Sequence, residues 1–479
     1  VSTMTPVDSG RAGAVYQNVG LTENDVVSYF DTASIQQWDS LTGTKLAYPS
    51  TDSVSFDLVD RAKYFRDELA NGMSVIVKSS PDSRVFAVNV LGRNRSGHEP
   101  EGKAGCVDFV NRLLEKGTMT RNAAELSRDL AAIGANVTLY DNPWIPYDDR
   151  YTTRRFSFIK FETIDDYAKK GFHLLTEMIL HPAFDSVEVG KVRQQMLGIL
   201  GRNAGSPGKV SNDLLFETMF KGHPYSRPIM GTAETIGSIT IDDLRAVHAS
   251  QYSPENMVLS IVTSRPIPQV MGWVEQQFGR LVAAGGSAAQ PLNSAPSNVA
   301  DSSYRELASE QVSIRLGSLL PGADHPDATT ISVASAILSE RLYHSLREKQ
   351  GLAYSVGASA LFDIHFGWFY ASIGTGAENR EKALDGLLLE IEKLKFDGPT
   401  RAEVNRARNR IWGRLMSSKL SRINQAYYLG IGEYLERPDN SDHRLLEELS
   451  RINAGDIRRV ATKYFCADAC VKVSAGSRP

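Results

Sequence analysis

The sequence predicts an α+β fold made of two homologous modules, each a mixed sheet with helices packed on it. Strand-like apolar runs alternate with long amphipathic helical stretches, which is typical of a sheet covered by helices. Several segments also recur along the chain in the same order, which indicates an internal duplication. A chain of 479 residues is long enough for two or three domains.

Residues 1–62 are expected to form an N-terminal arm or linker. They are rich in Ser, Thr, Asp and Gly and show no sustained hydrophobic period. The first module is expected over residues 63–280. Near its start, ANGMSVIVKSS (70–80) and RVFAVNVLG (84–92) predict two strands joined by a short turn. A further strand is expected near GANVTLY (134–140).

The stretch LVAAGGSAAQPLNSAPSNVADSS, residues 281–303, is expected to be an interdomain linker. Ala, Gly, Ser, Pro and Asn replace large apolar residues there, so this stretch cannot bury a core. The second module is then expected over residues 304–479.

The duplication is visible as a nearly constant offset between the two modules. Helical segments DDYAKKGFHLLTEMI (165–179) and REKALDGLLLEIEKL (380–394) place Gly171 and Gly386 215 residues apart. The same offset relates further pairs, and an offset of 213 relates the last: Glu188 and Glu403, Arg193 and Arg408, Gly198 and Gly413, Leu200 and Leu415, and finally Asp243 and Asp456. Chance resemblance between amphipathic helices rarely keeps order and register together.

Composition excludes several classes of protein. With 42% hydrophobic residues, 23% charged residues and a net charge of −3, the chain is neither disordered nor a general binder of nucleic acid. No run of 18 or more apolar residues predicts a membrane span. We therefore expect a soluble protein, and the sequence leaves cytoplasm, bacterial periplasm and organelle matrix open.

Three cysteines, Cys106, Cys466 and Cys470, cannot form a disulfide framework. Cys466 and Cys470 are spaced C-x3-C, close to an apolar terminal strand. Structural thiols are expected in preference to a metal or redox site.

The segment GCVDFVNRLLEKGT (105–118) predicts an amphipathic helix whose polar face carries Asp108, Asn111, Arg112 and Glu115. On spacing alone, a solvated helix face is expected rather than a chemical site. Asp108 and Arg112 are four residues apart and can form an ion pair.

In the second module, SERLYHSLREKQGLAYSVGASALF (339–362) predicts a helix that ends near Gly351 and leads into a strand. Arg347 then lies in the last helical turn and Tyr354 at the start of the strand. An Arg at a helix C-terminus and an aromatic residue at a strand start both have structural explanations.

This segment strongly resembles the L-R-E-x-x-G-L-A-Y-S-V-G motif of the pitrilysin, insulinase and mitochondrial processing peptidase family, the inverted zincins. HPYSRPIMG (223–231) is similar to a second motif of that family, and the likeness extends from about residue 64 to the C-terminus. The resemblance implies that the two modules form one half of a peptidase clamshell. It also implies that Arg347 and Tyr354 bind substrate beside the zinc of an opposing half.

Aligned with the family's H-x-x-E-H motif, GCVDFVNRLLEKGT lacks every zinc residue. Asp108 and Arg112 take the ligand positions, Asn111 takes the general-base position, and Ile199 takes the position of the distant glutamate ligand. A guanidinium has no lone pair for a metal, an amide cannot act as the base, and an alkyl chain cannot ligate. No metal is therefore expected in this chain, and zinc is expected on a catalytic partner half.

The sequence favours the non-catalytic half of a zinc metallopeptidase, inactive alone, that completes a peptide chamber and supplies Arg347 and Tyr354. Its partner would be a zinc-bearing half, in the same longer polypeptide or in a separate subunit. The alternatives are a structural or assembly subunit with no role in proteolysis and a metal-free homodimer that binds peptides. An aromatic and basic cluster is expected to line the chamber or, more simply, to pack a hairpin: Trp144, Tyr147, Tyr151, Arg154 and Arg155.

Overall fold

Two mixed sheets with packed helices form the framework of the protein, as the sequence predicts. The structure is a computed structural model and describes residues 2–6, 16–20, 62–140, 153–282, 300–437, 441–466 and 470–478. Residues Val1–Leu58 form a unit separate from Val59–Pro479. Within that first unit, strands β1 (Ser2–Pro6) and β2 (Tyr16–Gly20) pair antiparallel.

The first large sheet has six strands in the order β3-β4-β8-β5-β7-β6. Its strands are β3 (Lys63–Glu68), β4 (Ser74–Ser79), β5 (Val85–Gly92), β6 (Asn136–Thr138), β7 (Ser157–Ile164) and β8 (Met257–Thr263). Strands β4 and β5 exist, but the expectation that a short turn pairs them is wrong. The fully buried strand β8 lies between them, parallel to β4 and antiparallel to β5.

The second large sheet has five strands in the order β11-β12-β10-β13-β9. Its strands are β9 (Asp301–Glu306), β10 (Gln311–Pro321), β11 (Ser355–Phe362), β12 (Phe366–Gly376) and β13 (Val471–Gly476). Only the β13–β9 pair in this sheet is parallel, just as β4–β8 is the one parallel pair in the first. The two sheets therefore share one topology, which explains the duplication in the sequence.

Helices cover both sheets. They are α1 (Cys106–Leu113), α2 (Ala123–Ala132), α3 (Ala168–Leu180), α4 (Ser186–Ala204), α5 (Pro207–Met219), α6 (Ala233–Ser238), α7 (Ile241–Gln251), α8 (Ile267–Phe278), α9 (Ala328–Leu342), α10 (Arg380–Phe396), α11 (Arg401–Ser418), α12 (Arg422–Tyr434), α13 (Ser441–Arg451) and α14 (Ala454–Tyr464). In the described part of the chain, no helix combines the length and the apolar character that crossing a membrane requires.

The acidic residues that the duplication repeats lie in the first turns of helices. Asp243 and Asp456 occupy the third position of α7 and α14, where each completes a capping box. Glu403 does the same for α11, and Glu188 lies in the first turn of α4. These carboxylates satisfy backbone N–H groups that have no partner within the helix, which accounts for their recurrence.

The two sheets exchange one helix each. Helix α5 follows the first module's helix α4 but packs on strands β10 and β13 of the second sheet. Helix α12, which begins 215 residues after α5 begins, packs on β5 and β8 of the first sheet. The apolar contacts at these two interfaces include Phe216 against Trp368, and Phe158 against Tyr427. The reciprocal packing joins the two modules through buried apolar surface.

Gly430 allows α12 to approach the first sheet closely. A Cβ at this position would lie 2.9 Å from Asn89 Nδ2 and 3.1 Å from Ser260 Oγ. We expect Gly430→Ala to lower the free energy of unfolding by about 1–3 kcal/mol, because the added methyl group overpacks a buried interface. Urea denaturation followed by circular dichroism measures this change.

Gly432 provides the matched control for that substitution, since it lies in the same helix. A Cβ there would have no neighbour within 4 Å. Gly432→Ala should therefore leave stability unchanged or raise it by up to about 1 kcal/mol, the difference in helix propensity. Equal effects of the two substitutions would contradict close packing at Gly430.

A buried carboxylate also links the two modules. Asp363, in the turn between β11 and β12, accepts hydrogen bonds from the hydroxyls of Tyr225 and Tyr434, the latter at 2.5 Å. Tyr225 belongs to the first module, whereas Tyr434 ends the exchanged helix α12. Burial, together with the charge of Asp363, raises the pKa of both phenols. Both hydroxyls thus remain protonated and donate.

The structure corrects the expectation for two of the cysteines. Cys466 and Cys470 form a disulfide rather than two separate thiols. Cys106 in α1 is a free, fully buried thiol, and burial raises its pKa. Cys106 is therefore a structural side chain rather than a nucleophile.

Candidate functional site: a degenerate metal centre and an exposed Arg/Tyr pair

The polar face of α1 is buried, so the expectation of a solvated face is wrong. Asp108, Asn111 and Arg112 are 4%, 5% and 6% exposed. Three charged or polar side chains at this depth need specific partners, because an unpaired polar group is costly to bury. Each of these side chains has such partners.

Asp108 and Arg112 form the predicted ion pair within α1. Arg112 Nε donates to Asp108 Oδ2 at 2.6 Å. The guanidinium carbon of Arg112 lies 4.2 Å from the centre of the Tyr140 ring. Tyr140 in turn donates its hydroxyl hydrogen to Glu115 at 2.9 Å, and burial beside that carboxylate raises the pKa of Tyr140 to about 12. The cation of Arg112 is thus held between a carboxylate and an aromatic face.

Asn111, at the general-base position, is fixed by two hydrogen bonds. Its Nδ2 donates to the carbonyl of Leu139 at 3.2 Å, and its Oδ1 accepts from the hydroxyl of Tyr252 at 2.6 Å. Burial raises the pKa of Tyr252, so that hydroxyl remains a donor. The Asn111 amide connects α1 to the chain beyond β6 and to the end of α7. It has no capacity to take a proton from water.

Ile199 lies on α4, the helix that packs against α1, and is 6% exposed. Arg193, on the same helix, places its guanidinium carbon 5.2 Å from the centre of the Phe109 ring and donates to the carbonyl of Ile239 at 2.7 Å. The helix pair that would frame a metal site is therefore present. Its fourth position carries an alkyl side chain, which offers no donor atom.

The space beside these residues is too small for a metal with its ligands and substrate. The cavity lined by Arg95, Asp108 and Asn111 has a volume of about 10 Å³, which is roughly the space of one water molecule. Among the described residues, no three His, Cys, Asp or Glu side chains are grouped to hold a metal ion. The side chains at positions 108, 111, 112 and 199 do not fit zinc.

Sequence analysis missed Glu99, which is 1% exposed and supports the start of α1. Its Oε1 accepts from the backbone N–H groups of Gly105 and Val107, both at 3.2 Å. Burial raises the pKa of Glu99, and Arg95, at 3.9 Å, opposes that rise. A carboxylate shortly before the glycine that opens a helix was the available signal.

Arg347 and Tyr354 are both exposed, in contrast to the residues of α1. Helix α9 continues as a π-helical segment, Tyr343–Lys349, and Gly351, with φ of 63°, ends it. The Gly351 N–H donates to the carbonyl of Arg347 at 3.2 Å. Arg347 therefore lies in the last turn and Tyr354 directly before β11, as the sequence predicts.

The Tyr354 side chain is 65% exposed, and within the described residues its hydroxyl has no hydrogen-bond partner. The guanidinium carbon of Arg347 lies 5.2 Å from the centre of the Tyr343 ring. In the parts of the chain that the structure covers, no hydrogen bond joins Arg347 to Tyr354 or either residue to α1. The exposed donors of the second module and the buried face of α1 are separate features.

Arg154 and Arg155 pack between the modules and do not line an open chamber. The guanidinium carbon of Arg154 lies 3.7 Å from the centre of the Phe216 ring, and burial lowers the pKa of Arg154 to about 10. Arg155 Nη1 donates to the carbonyl of Phe362 at 2.5 Å. The other predicted members of this cluster, at positions 144, 147 and 151, lie outside the described residues. His223 accepts from the N–H of Tyr225, which confirms its predicted capping role.

The fold and the degenerate site together define a duplicated, metallopeptidase-like protein whose metal positions carry no metal ligands. Residues 74–233 match the family described as Insulinase (Peptidase family M16), and residues 238–411 match the Peptidase M16 inactive domain. The chain belongs to peptidase family M16, the pitrilysin and insulinase family, and is of its non-catalytic type.

Curated relatives include proteins named as zinc proteases. The chain is 25% identical over 402 residues to an uncharacterized zinc protease, YmxG, of Bacillus subtilis, which covers 83% of this chain and 95% of that protein. It is 24% identical over 417 residues to an uncharacterized zinc protease of Rickettsia bellii, with 84% and 95% covered. These names associate zinc with relatives and leave the metal content of this chain to the donor set above.

Solved structures share the fold. The peptidase M16 inactive domain from Pseudomonas fluorescens superposes with a TM-score of 0.78 at 21% identity, covering 87% of this chain and 99% of that one. The periplasmic protease PqqL from Escherichia coli superposes with a TM-score of 0.71 at 13% identity. That match covers 97% of this chain but 52% of PqqL, so the fold described here corresponds to about half of that longer chain.

Proposed function

We propose that this chain is the non-catalytic half of a zinc metallopeptidase that degrades or processes peptides. The observation that carries the proposal is the contrast between the two sites. Asp108, Asn111 and Arg112 are buried and fully engaged with neighbours, whereas Arg347 and Tyr354 are exposed and available to a ligand. A chain that had merely lost activity has no reason to keep only the donors that serve a partner's site.

In this proposal, the chain binds and orients a peptide whose hydrolysis takes place at the partner's metal. The Tyr354 hydroxyl donates a hydrogen bond to the carbonyl oxygen of the scissile peptide as negative charge develops there. The Arg347 guanidinium binds a neighbouring peptide carbonyl or orients Tyr354. Both side chains point away from the buried core, which supports contact with a second body.

The partner is a zinc-bearing catalytic half, joined in one longer polypeptide or present as a separate subunit. The match to half of PqqL supports the first arrangement, and the near-complete coverage of the shorter curated relatives supports the second. We assign the modules to residues 63–280 and 304–479, linked by 281–303. Residues 1–62 serve as the connecting arm.

A structural or assembly subunit is the second candidate. The buried Asp108–Arg112 pair favours it, because this pair seals the former metal site with a structural contact. The exposure of Tyr354 favours the peptidase half, since a packing role for that ring would bury it. A peptide-binding homodimer is a third candidate of the same fold.

Zinc content and peptide cleavage test the proposal. We expect the isolated chain to bind no stoichiometric zinc and to cleave no peptide, and we expect cleavage once a zinc-bearing half is added or restored in cis. Zinc by atomic emission and cleavage of a fluorogenic peptide are the measurements. Stoichiometric zinc or robust cleavage by the chain alone would overturn the proposal. A stable complex without any H-x-x-E-H subunit would favour the structural candidate.

A further inference from the structure

The four edges of the two large sheets differ in how they are protected. An exposed edge strand can pair with any extended chain, and proteins usually prevent this with charges, Pro, bulges or short strands. Edge strands β3 (KYFRDE) and β9 (DSSYRE) each carry several charged residues. Edge strand β6 has only three residues. These three edges are poor templates for pairing.

Strand β11 is the exception. Its sequence, SVGASALF, has eight residues and contains no charged residue and no Pro. It pairs on one side with β12 over its whole length, without a bulge, and none of its eight residues is buried. Within the described residues, no strand pairs with its other side. This edge lacks every common protection.

The hydrogen-bond pattern shows which backbone groups face outward. At the turn, the N–H of Asp363 donates to the carbonyl of Phe366 at 2.7 Å, so Asp363 and Phe366 form a hydrogen-bonded pair. Antiparallel pairs alternate along the strands. The residues at positions 355, 357, 359 and 361 therefore bond to β12, and those at 356, 358, 360 and 362 direct their N–H and C=O groups away.

Arg155 ends this row at one side, because it occupies the outward carbonyl of Phe362. Val356, Ala358 and Ala360 remain, each with an N–H and a C=O group on the open edge. Tyr354 and Arg347 lie next to the other end of the strand. The open groups form a short row that begins beside the two exposed donors.

We propose that β11 binds an extended peptide by strand addition. This inference rests on the proposed function for the nature of the ligand, and it assigns peptide binding to the second module rather than to the short edge strand β6. Backbone pairing recognises any extended segment without Pro. Because Gly357, Ala358, Ser359 and Ala360 are small, bulky side chains of the peptide meet little obstruction. The ligand class is an unfolded peptide of variable sequence.

A second copy of this chain is the less suitable occupant. Specific protein interfaces usually bury about 1,000 Å² or more, and pairing through three residues per copy supplies only a part of that area. A transient peptide complex needs less buried area. The short row with one closed end therefore favours a peptide.

Fluorescence anisotropy of the intact chain tests the proposal without any catalytic half. The probe is a fluorescein-labelled peptide of about twelve residues with alternating Val and Thr and terminal Lys pairs, long enough to span the edge. We expect Ala358→Pro to weaken binding by about tenfold or more, because Pro removes an outward N–H that the folded chain does not use. Ala358→Val keeps that N–H and should change affinity less than about twofold. Equal affinities of both variants would overturn the proposal.

Hydrogen exchange of the wild-type chain gives a second readout that does not depend on a variant folding. Saturating peptide should slow exchange in the segment 355–362 and leave the charged edge 301–306 unchanged. Slow exchange of 355–362 before peptide is added would overturn the proposal, since another part of the chain would then occupy the edge. Protection that rises with protein concentration alone would assign the edge to a second copy.

The outcomes separate this inference from the proposed function. Peptide binding at β11 by a chain that supports no zinc-bearing half would remove the peptidase role and leave the edge assignment intact. Cleavage supported by this chain with no protection of 355–362 would remove only the edge assignment.

Discussion

Replacing Tyr354 with Phe is expected to lower the turnover of the assembled peptidase by about 100-fold, the typical cost of removing one oxyanion donor. KM should change little, because the hydroxyl acts on charge that develops only in the transition state. The fold should be unaffected, since the Tyr354 side chain is 65% exposed and its hydroxyl has no partner among the described residues. Steady-state kinetics with a fluorogenic peptide measure kcat and KM separately.

Tyr343 offers a matched control for that substitution. It lies in the same helical segment as Arg347 and is 42% exposed. Tyr343→Phe retains the aromatic ring beneath the Arg347 guanidinium and removes only a hydroxyl, so turnover should stay within about twofold. If Tyr354→Phe behaved like this control, Tyr354 would have no part in catalysis.

The duplication was predictable from sequence because it preserves both spacing and residue type. Acidic residues such as Asp243 and Asp456 recur at helix starts, where capping demands a short acceptor. The exchange of α5 and α12 between the sheets was not predictable. An amphipathic helix shows which of its faces is buried but contains no information about which sheet covers that face.

The misassigned pairing of β4 and β5 has a similar cause. A short turn between two apolar strands usually produces a hairpin, and local sequence supports that interpretation. Strand β8, which follows some 170 residues after β5 begins, inserts between them and satisfies the inner edges of both. Long-range pairing therefore overrode the local signal.

At the degenerate site, spacing predicted the Asp108–Arg112 pair but not its burial. Burial of the α1 polar face depends on Tyr140 and Tyr252, which approach from distant parts of the chain. Sequence spacing defines only which residues share a helix face. Whether that face meets solvent is decided by tertiary packing.

The burial of the Asp108–Arg112 pair makes Asp108→Asn the substitution with the largest expected effect on stability. We expect the free energy of unfolding to fall by about 3 kcal/mol, because the neutral amide leaves the charge of Arg112 buried and uncompensated. Replacing both partners with apolar residues, as Asp108→Leu with Arg112→Met, should cost much less, about 1 kcal/mol or below, since no isolated charge remains. Urea denaturation of the two variants followed by circular dichroism gives both values.

An exposed pair with the same spacing is the control for this prediction. Glu447 and Arg451 are four residues apart in α13, with N–O distance 3.7 Å and side chains 66% and 77% exposed. Glu447→Gln should change stability by less than about 0.5 kcal/mol, because solvent screens the exposed pair. If Asp108→Asn were as mild as Glu447→Gln, the α1 pair would not hold the wall of the former metal site. If it were severe and the double apolar variant mild, the pair would be a replacement for metal that keeps a buried helix face closed without chemistry.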